Sequence, residues 1–262
     1  MLQGKVALIT GSAQGLGKMT AYRLAESGCD VAVNYVRSEA AAHELVNRFR
    51  QMGVRSAAIR ADVTDRMQLA ELVSEVEARF GGIDILVNNA GPFIRERRLF
   101  ADYDWEEIDY LIRGNLLGVM ALDHLALPFM RRKRWGRIIH FGYGHAAEAR
   151  SWPHRAVYAA AKTALVSFTR TLAEEEASQG ITVNMVCPGD IRGAFKEGSI
   201  AEARGEQDPE SPSGRPGTGE DIARVIAFLC DSASDYITGN IMDITGGLDP
   251  IQSMSHWVRS KE

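Results

Sequence analysis

Tyr158 and Lys162 stand four residues apart in the stretch Tyr-Ala-Ala-Ala-Lys. On a helix that spacing stacks phenol and ammonium on one face. A cation beside a phenol favours the phenolate, so the pair implies a tyrosine pKa below its ordinary ~10. Such a group gives and takes a proton near neutral pH. The three alanines between the two leave room for a cofactor to lie close to that face. A second chemical stretch is Gly11-Ser12-Ala13-Gln14-Gly15-Leu16-Gly17. It follows the apolar run Val6-Ala7-Leu8-Ile9-Thr10, which reads as a strand buried on both faces, and leads into a helical pattern. Strand, glycine turn and helix N-terminus together make a pyrophosphate cradle: the glycines admit the backbone and the helix supplies N–H groups.

The end of the second strand, Asp30–Tyr35, selects between dinucleotides. NAD-binding units place an acid there for the ribose 2′-hydroxyl. Here Asn34 and Tyr35 occupy the place, followed by Arg37 and Ser38. With no carboxylate to repel a 2′-phosphate and a guanidinium in reach to bind one, the pattern favours NADPH.

These groups need a scaffold, and the periodicity supplies one. Strand patterns near 6–10, 30–35, 56–60, 83–88, 137–141, 181–187 and 240–245 alternate with helical stretches near 15–27, 39–52, 67–80, 115–134, 155–179 and 221–231. A short polar helix at 102–114 is inserted. Strand–helix alternation predicts an α/β fold with a parallel, doubly wound sheet in a single domain over residues 1–262. Asn88-Asn89-Ala90-Gly91 and Pro188-Gly189 then fall at carboxyl ends of strands, where such sheets bind ligands. Residues 193–219, rich in Gly, Pro, Ser and charge, read as an irregular substrate lid. The cluster Arg131-Arg132-Lys133-Arg134 reads as a solvated cap favoured by the helix dipole, with a docking patch as the alternative. The tail at about 248–262 carries Trp257 without a clear period.

Composition bounds the rest. A chain of 262 residues with 45% hydrophobic and 24% charged residues has ample material for a core. The formal charge of -4 argues against general nucleic-acid binding. Cys29, Cys187 and Cys230 lack metal-ligand spacing, so no metal site is expected, and the sparse thiols fit a cytoplasmic compartment. A signal peptide and a membrane span are both expected to be absent.

Taken in order, these motifs resemble the short-chain dehydrogenase/reductase family, from Thr10–Gly17 through Asp62-Val63, Asn88–Gly91, Asn115, Tyr158/Lys162 and Pro188-Gly189. Val33-Asn34-Tyr35, Gly180-Ile181-Thr182-Val183-Asn184 and Asp243-Ile244-Thr245-Gly246-Gly247 are most similar to the 3-oxoacyl-acyl-carrier-protein reductases. The resemblance implies a sheet of order 3-2-1-4-5-6-7 and a homotetramer built on the helices at 115–134 and 155–179. It further implies NADPH-dependent ketone reduction, a 3-oxoacyl thioester or similar carbonyl as substrate, and acyl carrier protein as a partner. By the same resemblance Tyr158 is the acid, Lys162 lowers its pKa and holds the nicotinamide ribose, and Asn115 holds a relay water. Asp62 and Val63 then meet the adenine, Asn89, Ala90 and Gly91 the adjacent ribose, and Pro188, Gly189, Asp190 and Ile191 the nicotinamide.

The chain departs from that pattern after the fifth strand, where the family carries a serine that polarises the substrate carbonyl. Counting forward from Gly136 the place falls on Tyr143; counting back from Tyr158 it falls on His145. Gly193 stands where relatives tend to carry a threonine, and Gln14 where NADPH-preferring relatives often carry a cation. The lost serine keeps open an alternative, a non-catalytic NADPH-binding protein of the same fold.

Overall fold

Apolar runs too short for helices become strands, and the longer amphipathic stretches between them fold back over the sheet. The computed structural model describes residues 2–249; Trp257 and most of the tail assigned to 248–262 lie outside the described residues. In chain order the elements are β1 (Val6–Ile9), α1 (Gly15–Glu26), β2 (Asp30–Tyr35), α2 (Glu39–Gln51), β3 (Ser56–Arg60), α3 (Arg66–Phe80) and β4 (Ile85–Asn88). There follow α4 (Trp105–Ile112), α5 (Gly118–Lys133), β5 (Gly136–Phe141), α6 (Ala156–Glu176), β6 (Ile181–Pro188), α7 (Ile200–Ala203), α8 (Gly219–Cys230) and β7 (Ile241–Ile244). All strand pairings are parallel, in the order β3-β2-β1-β4-β5-β6-β7. The order reverses between β1 and β4, which opens a crevice at their carboxyl ends.

Side-chain alternation sorts the core into two layers. Ala7 and Ile9 of β1 pack with α1, α2 and α8, while Val6 and Leu8 pack with α3, α5 and α6. Both faces are therefore covered, the condition for an all-parallel sheet. The ends of α3 follow the sequence: Asp65 accepts from the Met67 and Gln68 N–H groups, and Gly81 closes the helix at φ 87°.

Two expectations change and a third gains detail. The long helix expected from Asn115 begins as a π-helical turn, Arg113–Leu117, joining α4 to α5. The lid at 193–219 is not wholly irregular. It holds a 3-10 turn at Gly193–Glu197 and the four-residue α7, whose Ser199 and Glu202 cap each other. Ion pairs from Arg192 to Glu210 and from Arg215 to Asp221 order the rest. The basic cluster is exposed at the end of α5, as expected of a solvated cap, and three of its cations also hold partners. Arg131 pairs with the buried Glu176 and Lys133 with the buried Asp84 (2.7 Å), while Arg134 donates to the Ser178 carbonyl (2.8 Å). Removing either cation would strand a carboxylate that water barely reaches.

Candidate functional site

The helical spacing of Tyr158 and Lys162 is realised on α6, which crosses the carboxyl edge of β5 and β6. Both side chains line a cavity of about 270 Å3 together with Leu16, Asn89, Asn115, Tyr143 and Gly189. Lys162 is only 3% exposed, and its Nζ donates to the Phe141 carbonyl (2.8 Å). Burial pulls its pKa down to about 8. One expectation is reversed. Burial, with the neighbouring Tyr143 adding to it, pushes the Tyr158 phenol above its ordinary value rather than below. The reason is geometric: the ammonium lies 5.9 Å from the Tyr158 ring centre and is committed to the end of β5.

Beneath the pair runs a fully buried polar chain. Asn88 at the end of β4 donates to Asp123 on α5 (2.8 Å). The other Asp123 oxygen meets His140 Nε2 on β5 (2.8 Å), and His140 Nδ1 meets Thr169 on α6 (2.7 Å). The Thr169 hydroxyl gives its hydrogen to the Leu165 carbonyl, so His140 Nδ1 is the donor in that contact. This chain ties the strand ends that carry Asn89 and Phe141 to the helices behind them.

Asn115 sits in the π-helical turn, a local widening that often accompanies functional residues. Its amide donates to the carbonyls of Pro92 (2.7 Å) and Leu111 (3.1 Å), and its buried Oδ1 has no partner. The two residues that compete for the serine's place separate clearly. Tyr143 is 5% exposed and lines the cavity, with its hydroxyl 3.4 Å from Thr163 Oγ1. His145 is turned away; its Nδ1 meets Glu148 (2.7 Å) and its backbone N–H donates to Asp243 (2.7 Å). His145, Ala149 and His154 all have positive φ in this one loop, a concentration of strain that typifies sites held in place by their surroundings.

The residues present fit a dinucleotide along the crevice. Gly11 and Gly15 both have φ of 62°, and a Cβ on Gly17 would sit 2.6 Å from Asn89 Nδ2, so the turn requires its glycines. Asn89 donates to the Thr10 carbonyl (2.8 Å) and Ala90 N–H to the Thr10 hydroxyl (2.9 Å), clamping β4 to the turn. Gly91 lies so close to Asn115 that a Cβ there would reach within 2.4 Å of its Oδ1. Leu16 reaches the cavity, and Arg37 is exposed beside Ser38, whose hydroxyl is 3.4 Å from Gln14.

Other assigned residues turn out to brace the site. Ser12 is fully buried; its hydroxyl donates to the Ile9 carbonyl and accepts from Asn34 N–H. The Asn34 side chain accepts from Gly11 N–H (3.0 Å) and donates to the carbonyls of Ile59 and Ala61. Both are structural supports of the glycine turn, with their side-chain polar atoms already engaged. Tyr35 packs into the core at 8% exposure. Asp62 uses Oδ1 to hold Thr64, and Val63 is buried beside it. Pro188 and Gly189 line the cavity, with Gly189 N–H on the Ile244 carbonyl, and Ile191 packs into the core.

Two features escaped the sequence. Glu197, on the lid, accepts from Gly15 N–H (2.7 Å) and from Lys18 (2.6 Å), so a carboxylate sits on the N-terminus of α1. Phe93 and Trp152, from two separate loops, stand around Tyr158 with ring centres 5.0 and 6.1 Å away. Neither carries a motif, and nothing but the folded chain brings them to the site.

A family model described as enoyl-(acyl carrier protein) reductase matches residues 11–249. The Bacillus subtilis protein YtkK, named an oxidoreductase, is 46% identical over 94% of this chain and 96% of its own length. The 3-oxoacyl-acyl-carrier-protein reductase FabG of Staphylococcus aureus is 38% identical over 95% of this chain and 99% of its own. A blue fluorescent protein from a metagenomic library, solved in complex with NADPH, superposes with a TM-score of 0.82 at 32% identity, covering 94% of this chain and 98% of that one.

Proposed function

The chain belongs to the short-chain dehydrogenase/reductase family of oxidoreductases, and on that premise we propose that it reduces a ketone to an alcohol with NADPH, Tyr158 supplying the proton. The observation that carries the reading is the cavity itself. It sets Tyr158, Lys162, Asn115 and the glycine turn's Leu16 around one space at the carboxyl edge of the sheet. NADPH, when bound, supplies the hydride that attacks the carbonyl carbon. Tyr158 protonates the oxygen as its charge develops. Lys162, anchored on the Phe141 carbonyl with its ammonium 5.9 Å from the Tyr158 ring centre, would hold the nicotinamide ribose. Tyr143 takes the absent serine's part. Its 3.4 Å contact with Thr163 exceeds the usual hydroxyl–hydroxyl range, which ends near ~3.0 Å, so its hydrogen turns to a carbonyl oxygen at little cost.

Arg37 and Ser38 hold the 2′-phosphate in this reading, and Asp62, Val63 and Asn89–Gly91 receive the adenosine half. The 3-oxoacyl thioesters, free or on acyl carrier protein, are the substrate class that the reductase relatives suggest. A cofactor-binding protein without turnover is the second reading, favoured by the raised phenol pKa of Tyr158 and the missing serine. Loss of nicotinamide absorbance across a panel of 3-oxoacyl thioesters and acyclic and cyclic ketones separates the two. Turnover by at least one class, with NADPH affinity falling about tenfold in Arg37→Ala and NADH affinity unchanged, is expected. Tight NADPH binding with no turnover anywhere on the panel would leave the second reading.

A further inference from the structure

Around the reacting phenol the cavity is walled by aromatic rings. Phe93 meets Tyr158 edge-to-face at 5.0 Å and 83°, and Trp152 meets it at 6.1 Å and 76°. Tyr143 backs Trp152 at 4.7 Å and lies 6.3 Å from Tyr158. Only Tyr143 is buried as a core residue is; Phe93 is 43% exposed, and Trp152 and Tyr158 are partly open. Rings that merely filled the core would have no open faces, so these face the space where a substrate must sit.

The walls are also held stiffly. The Arg155 guanidinium lies 4.9 Å from the Phe93 ring and donates to the carbonyls of Arg95 (2.7 Å), Glu96 (2.7 Å) and His154 (3.0 Å). Arg155 is 6% exposed, so one buried cation ties the Phe93 loop to the loop that carries Trp152. Rigid aromatic faces recover stacking energy from a flat ring without ordering cost, whereas a flexible acyl chain gains little from them and loses rotamer freedom. The cavity, about 270 Å3, would also receive the nicotinamide beside Gly189 and Ile191, so the space left against these rings is small.

We propose that Phe93 and Trp152 are specificity-determining residues that select a compact, planar ring-bearing ketone over an acyclic 3-oxoacyl thioester. The proposal rests on the ketone-reductase reading and narrows its substrate. It assigns the rings no part in the proton or hydride transfer, which stay with Tyr158 and the nicotinamide.

The test compares kcat/KM for bicyclic aryl ketones and for acetoacetyl-N-acetylcysteamine in the native protein, Trp152→Ala, Trp152→Phe and Phe93→Leu. The native protein should favour the bicyclic ketones by about tenfold or more, Trp152→Ala should erase the preference, and Trp152→Phe should restore most of it. A native preference for the thioester, or a bicyclic preference unchanged in Trp152→Ala and Phe93→Leu, would overturn the proposal while leaving the reductase reading intact. If nothing turns over, that reading fails, and the cage is tested by titrating the NADP+-loaded protein with a bicyclic ketone in a calorimeter. Binding weakened about tenfold by Trp152→Ala supports the cage, and no binding by the native protein overturns it.

Discussion

At the residue scale the proposed reduction turns on two side chains of the cavity, Tyr143 and Lys162. Losing one donor to a developing oxyanion costs roughly 2.7–4 kcal/mol, a fall of on the order of 10²–10³ in kcat. Tyr143→Phe should show a fall of that order with NADPH affinity unchanged, while His145→Ala should leave kcat near native because its imidazole is turned to Glu148. The reverse pattern in single-turnover kinetics would hand the role to His145. Burial of Lys162 carries a stability cost. Its pKa falls from 10.5 to about 8 on folding, so between those values the unfolded chain binds a proton that the folded chain has released. The cost is therefore full below about pH 8 and is relieved as pH rises from there towards 10.5. Lys162→Met should raise the unfolding free energy at neutral pH by on the order of 1–3 kcal/mol, with the gain fading above about pH 10, and should abolish turnover. Denaturant melts at the two pH values check the sign; a variant less stable at neutral pH contradicts it. The Tyr/Lys pair was legible from spacing alone, but the direction of the Tyr158 shift was not. Sequence places a cation one turn away without saying that the Phe141 carbonyl claims it.

Elements built on apolar period were legible, and those held by polar contacts were not. The seven strands and their helices follow alternation and amphipathic stripes, so their places emerge within a few residues of those expected. The π-helical turn is silent in sequence, where apolar residues run on through it; in the structure Leu117 is left exposed and α5 buries Val119, Leu122, Ala126 and Phe129. The lid is ordered by the pairs Arg192–Glu210 and Arg215–Asp221, which no period announces. The lid also sets the Glu197 carboxylate on Gly15 N–H and Lys18, the same helix terminus that should receive the pyrophosphate. Two anions there repel each other, so on the proposed reading Glu197 withdraws when the cofactor binds. Glu197→Gln should tighten NADPH binding by roughly threefold to tenfold in a fluorescence titration. Weaker binding instead would make the carboxylate part of the cradle.

Across the whole molecule, exposed apolar side chains are spread over several elements. Met67 is exposed on α3, Leu99 and Phe100 ahead of α4, Trp105, Tyr110 and Leu117 on α4 and the turn before α5, Phe228 on α8 and Tyr236 after it. The expected homotetramer is built on the helices at 115–134 and 155–179, and in the first of these Leu117 is exposed and free to meet a second copy. Light scattering at micromolar concentration should report four subunits, and Leu117→Glu should leave dimers; a native monomer contradicts this. On the proposed reading one sheet edge holds NADPH, and Tyr158 completes the reduction that the hydride begins. The most direct measurement incubates the protein and Tyr158→Phe with NADPH deuterated at the transferable position and the best ketone of the panel. Deuterium on the carbinol carbon of the native product, lost in Tyr158→Phe while NADPH still binds, is the predicted result. Product label undiminished in Tyr158→Phe, or no labelled alcohol from the native protein despite bound NADPH, would contradict the account.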